Sequence, residues 1–185
     1  AFLAKSVLVC EGASEQGLVR GMDRFLASGG ALPLEAYGLG CVNVNGGKPD
    51  QAFERALAPH KLGYRAAVLL DHDKGATEAL IADFVKNGGQ VFRWTKDMAL
   101  EDALFAYLPA EGVTAALKVA CSINGESKVD DHIKSKSDGK ASLASVRQEG
   151  LKNHYQPQTR KWLGQAARAK DNKWFKEERH MAKLG

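Results

Sequence analysis

Cysteine is scarce and scattered in this sequence of 185 residues, with only Cys10, Cys41 and Cys121 present. The number is odd and no Cys-x-x-Cys occurs, which speaks against a disulfide framework or a zinc ribbon. The three read as small buried residues in a reducing, cytoplasmic compartment. The five histidines (His60, His72, His132, His154 and His180) show no zinc-ligand spacing. No apolar run approaches the ~20 residues that a membrane span needs, so no membrane partner is expected. Gly46-Gly47-Lys48-Pro49 lacks the spacing and the hydroxyl of a Walker A loop, leaving no site for nucleotide hydrolysis. Internal repeats are absent. The chain opens Ala1-Phe2-Leu3-Ala4-Lys5, without Met, and runs straight into a strand pattern. That start reads as a cut edge within a longer protein, not as a signal peptide.

What the sequence has is ordinary in bulk and uneven in charge. Hydrophobic residues make up 44% and charged residues 26%, enough to bury a core and unlike a disordered chain. The net charge is +4. From Arg147 onward ten Lys and Arg stand against four Asp and Glu, a net of +6 that leaves −2 for everything before it. A mildly acidic front and a basic tail suit a carboxylate-rich metal site beside a polyanion-binding surface; a solvated basic helix face gives the same numbers.

Short apolar runs alternate with helical periodicity over the first hundred residues. Strands are expected at 5–10, 41–44, 65–70 and 90–94, each followed by turn residues or a helix. The first helix is expected to be capped by Ser14 and to pack through Leu18, Met22, Phe25 and Leu26. The others are expected from Pro49-Asp50 through Leu57 and over 76–86. Alternation of this kind indicates a mostly parallel α/β sheet of about four strands. After Pro109 only helical patterns remain, at 113–120, 142–148, 159–169 and 172–184, with a polar loop or weak helix over 122–140. The domain division expected is therefore 1–109, α/β, and 110–185, a small basic α-helical domain.

In a parallel α/β sheet, ligands gather at the carboxyl ends of the strands. Glu11 follows the first strand, and Asp71 and Asp73 follow the third. Asp71 and Asp73 are two residues apart, so both can point into one space, and Glu15 lies one helical turn beyond Glu11. Carboxylates gathered in this way repel one another unless a cation sits among them. Hard oxygen donors suit Mg²⁺ or Mn²⁺, and two such ions can assist both oxygens of a phosphodiester displacement. Glu15 would also favour the helix dipole without a metal, and either aspartate could cap the next helix.

The run Val7-Leu-Val-Cys-Glu11-Gly12-Ala-Ser-Glu15 followed by Val68-Leu-Leu-Asp71-His-Asp73 resembles the Toprim signature. With its second acid four residues after the first, it is most similar to the overcoming-lysogenization-defect (OLD) family of nucleases. The resemblance covers residues 5–108 by motif. It implies a Toprim-like fold and a metal-dependent DNA endonuclease working through two ions. It also implies an N-terminal ABC-type ATPase in the remainder of the protein, and a homo-oligomer formed through that part. Glu11, Glu15, Asp71 and Asp73 fall on the family's metal-binding acids, with Glu11 and Asp71 catalytic. Glu101 and Asp102 fall where the family supplies a further acid. Trp174-Phe175-Lys176 is similar to the tail segment whose lysine assists catalysis, which makes Lys176 a catalytic candidate.

Lys74, Arg160, Lys161, Arg168 and Lys170 are the expected contacts to DNA. Trp162 and Trp174, among those cations, suit either stacking on DNA or anchoring the tail. Tyr107 and Tyr155 are poor topoisomerase nucleophiles, since no domain that would present such a tyrosine is evident. Two other readings stay in view: a Toprim module that binds DNA without cutting, and a haloacid-dehalogenase-type phosphatase. The latter wants its Asp-x-Asp on the first strand and a Thr where Gly75 stands.

Overall fold

The computed structural model describes residues 4–46, 48–72, 76–169 and 173–184. Four strands form one sheet: β1 (Ser6–Cys10), β2 (Leu39–Asn43), β3 (Arg65–Leu70) and β4 (Gln90–Arg93). All three pairings are parallel and the order is β2-β1-β3-β4. Parallel neighbours need crossover helices. These are α1 (Ala13–Ser28), α2 (Asp50–Lys61) and α3 (Glu78–Lys86). The path moves one way from β1 to β2, then back across the sheet to β3 and β4. Right-handed crossovers therefore place α1 on one face and α2 with α3 on the other. The second face is the main core, where Val9, Ala66, Val68 and Leu70 pack on Ala52, Phe53, Ala56, Ile81 and Phe84. This is the expected Toprim-like α/β arrangement.

The first helix departs from expectation. Gly12, not Ser14, is its N-cap, and it buries Glu15, Gln16, Gly17 and Gly21. Met22, Phe25 and Leu26, expected to pack inward, are exposed, Phe25 at 65%. The reason is close approach. The glycine stripe lies against the backbone of Glu178 and Ala182, where a Cβ on Gly21 would sit 3.0 Å from the Ala182 carbonyl oxygen. Arg20 pairs with Glu178 in the same contact.

The chain divides into two compact units, one comprising residues 1–97 with 177–183, the other 98–176. The second contains α4 (Leu100–Tyr107), α5 (Ala110–Asn124), α6 (Glu126–Lys136), α7 (Leu143–Leu151) and α8 (Pro157–Ala167). The helix α4, read from sequence as part of the α/β domain, packs within this helical unit. Gly164 of α8 admits the α4 backbone, since a Cβ there would lie 2.8 Å from the Asp102 Cα. Residues 126–136, expected as loop or weak helix, form α6 because Val129 and Ile133 are fully buried one turn apart. Of the helix expected over 172–184, only α9 (Glu178–Met181) is helical among the described residues. No helix among the described residues is long and apolar enough to cross a membrane.

Candidate metal centre

The strand order reverses direction between β1 and β3, and ligands of open α/β sheets bind at such a switch point, beyond the carboxyl ends of the strands. Register fixes what lies there. Cys10 pairs with Leu69, so the same register sets Glu11 beside Leu70, with Asp71 one residue beyond. The Glu11 N–H donates to the Leu69 carbonyl at 3.1 Å, prolonging the ladder by one rung, and its own carbonyl accepts from the Gly46 N–H at 3.1 Å. The Glu11 carboxylate accepts from the Asp71 N–H at 3.3 Å. Glu11 is 8% exposed and Glu15 5%. The Glu15 carboxylate folds back over the turn, to a point 3.0 Å from where a Cβ on Gly12 would be. Gly12 thus gives room for the second acid, a role that the Glu-Gly pair in the sequence did not by itself reveal.

Polar neighbours around this edge were also missed by the sequence reading. Gln16 donates to the Cys41 carbonyl at 3.0 Å and accepts from the Asn43 side chain. Asn43 in turn accepts from the Asn45 N–H at 2.7 Å, at the turn where Asn45 and Gly46 both take positive φ. Asp50 accepts from both the N–H and the hydroxyl of Thr77 at 2.8 Å, tying the segment after β2 to the one after β3. Those two bonds hold its carboxyl below the usual range. His72 Nδ1 accepts from the Asp97 N–H at 3.4 Å. Asp73 and Lys74 lie outside the described residues.

The remaining candidates belong to the helical unit. Glu101 is 1% exposed, with Lys173 Nζ at 3.7 Å. Burial pushes its carboxyl up, and the Lys173 charge opposes this only in part. Asp102 accepts from the Ala99 N–H at 3.2 Å at the start of α4 and pairs with Arg168 at 3.1 Å. Arg160 donates to the carbonyls of Phe105 at 2.9 Å and Leu108 at 2.7 Å, satisfying the open end of α4. So Asp102, Arg160 and Arg168 all hold structural contacts in this unit. Lys161 and Lys176 are exposed, and Lys170 lies outside the described residues. Trp174 is an anchor: fully buried, edge-on to Phe105 at 5.9 Å, its indole N–H donating to His132 at 3.1 Å. The Tyr155 hydroxyl bonds Thr114 at 2.8 Å, inside the unit.

The donor set suits a hard divalent cation, because Glu11, Glu15 and Asp71 offer only oxygen and Glu11 and Glu15 are buried. Among the described residues, no group of three or more His, Cys, Asp or Glu is placed to hold a metal ion. Asp73 stands outside that comparison.

The fold is an α/β unit with a four-stranded parallel sheet, accompanied by a small helical one. No protein-family model matches the chain, and no curated protein matches it. Among solved structures, it is similar to the C-terminal region of the Xanthomonas campestris pv. campestris OLD protein. The mercury-phased structure of that region is 13% identical, with a TM-score of 0.46 over 98% of this chain and 96% of that one. The iodine-phased structure is 13% identical over the same shares, with a TM-score of 0.40.

Proposed function

We propose that this chain is the nuclease part of an OLD-type ATPase-nuclease and hydrolyses DNA phosphodiester bonds with Mg²⁺ or Mn²⁺. The observation that carries the reading is the end of the β1–β3 pair at the switch point, where the Asp71 N–H donates to the buried Glu11 carboxylate at 3.3 Å and the buried Glu15 folds back toward Gly12. Glu11, Glu15 and Asp71, with Asp73, would hold the metal. Two divalent ions, when bound, supply positive charge to the attacking and leaving oxygens of the phosphodiester. The chain's own part is to fix the carboxylates. The Asp71 N–H orients Glu11, and Gly12 leaves the space into which Glu15 folds. The exposed Lys161 and Lys176 would meet phosphate, and contacts to phosphate alone read no base sequence. The ABC-type ATPase, and any oligomer formed through it, belong to the same proposal.

The test uses supercoiled plasmid with Mg²⁺, Mn²⁺, Ca²⁺ or EDTA, and an Asp71→Ala variant beside the parent chain. Nicked or linear DNA is expected only with Mg²⁺ or Mn²⁺ and only with Asp71 intact. Intact plasmid in every lane, from folded protein shown to bind Mn²⁺, would remove cutting and leave a DNA-binding module.

A further inference from the structure

Two of the three cysteines, 31 positions apart, meet in the sheet. Register sets Cys41 opposite Leu8 and Cys10 two residues further along β1. Side chains two apart share a face, so the thiols lie diagonally on one side of the β1–β2 pair. Their sulfurs are 3.6 Å apart, and both are free thiols. Cys10 is buried and Cys41 is partly open to solvent. Cys121, also a free thiol, lies in α5 of the other unit.

We propose that Cys10 and Cys41 form an oxidisable dithiol, closed to a disulfide by hydrogen peroxide. The more accessible Cys41 sulfur attacks the peroxide. A sulfur–oxygen bond forms, the oxygen–oxygen bond breaks, and the departing oxygen leaves as water, giving a sulfenic acid. Cys10 sulfur then attacks Cys41 sulfur; the sulfur–sulfur bond forms, the sulfur–oxygen bond breaks, and the Cys10 proton leaves with the oxygen as a second water. Two thiols lose two electrons and the peroxide gains them.

Closure must bring the sulfurs from 3.6 Å to about 2.05 Å, next to Glu11, the residue after Cys10. Thiol exchange opens such a bond again, which suits a reversible modification.

The test uses the Cys121→Ser chain, which keeps only this pair, with the parent chain in parallel. Each is treated with hydrogen peroxide, alkylated under denaturing conditions and weighed intact. The expected result is a loss of about 2 Da with both thiols protected, reversed by dithiothreitol. Peptide mapping of the parent chain should join Cys10 to Cys41 and leave Cys121 alkylated. Two alkylated thiols after peroxide would overturn the proposal, as would oxygen adducts alone or a bond involving Cys121. The readout involves neither metal nor DNA, so it stands or falls apart from the nuclease reading.

Discussion

At Glu101 a carboxylate lies almost fully out of water with one lysine nitrogen at 3.7 Å. Burial without full pairing disfavours the charged form, and the carboxyl is raised accordingly. A raised acid binds its proton more tightly in the folded chain than in the unfolded one. The stability it contributes is therefore fully present below the ordinary carboxylate range and is lost as pH rises through the raised value. Glu101→Gln removes the ionisation. The variant should melt close to the parent at about pH 4 and progressively above it toward about pH 8. A melting-temperature difference that stays flat across that range would refute the assignment. The importance of Asp71 is tested by DNA cleavage.

Among the elements, α1 shows how packing overrides an apolar pattern. Its periodic Leu18, Met22, Phe25 and Leu26 mark a hydrophobic face, yet the buried face carries Gly17 and Gly21. A helix seeks the contact that excludes most water, and two glycines let the Glu178–Ala182 backbone approach more closely than any leucine would allow. Glycine in a helix ordinarily costs about 0.5–1 kcal/mol relative to alanine. Gly17→Ala should nonetheless destabilise, because its Cβ would enter the Glu178 carbonyl oxygen. A loss of about 1–3 kcal/mol in urea unfolding is expected, the range of overpacked sites. A stabilised variant would mean that this contact does not form. The sequence shows two glycines there but not their partner, which lies some 160 positions away.

Over the whole molecule the question is how much of the tail's positive charge is available to a polyanion. Arg147 pairs with Glu126, Arg168 with Asp102, Lys173 with Glu101 and Arg179 with Glu177, and Arg160 serves the carbonyls of α4. Net charge sets the long-range field, but a cation bound to a backbone carbonyl or a carboxylate is costly to redirect toward phosphate. The double change Lys161→Glu with Lys176→Glu should weaken retention on DNA and leave the melting temperature within error. Arg160→Met should do the reverse, lowering stability by about 1–3 kcal/mol because buried carbonyls lose their donor. Equal loss of DNA binding in the two variants, with unchanged melting, would place Arg160 on the DNA surface after all.

By itself the sequence determined the layered α/β unit, its four strands and the acids at two strand ends. Apolar runs of four to six residues ending in Glu-Gly or Asp leave the backbone few alternatives, since period and turn chemistry are local properties. Long-range pairing decided the rest. Only the folded sheet shows that the Asp71 N–H meets the Glu11 carboxylate and that Cys10 meets Cys41. Only helix packing shows that Asp102, Arg160 and Arg168 serve the helical unit, that residues 126–136 are a helix, and that Trp174 is an anchor. A charge or an aromatic ring in a sequence carries no mark of its partner. The partner is chosen by which surfaces exclude water together, and that is settled only when the chain has folded.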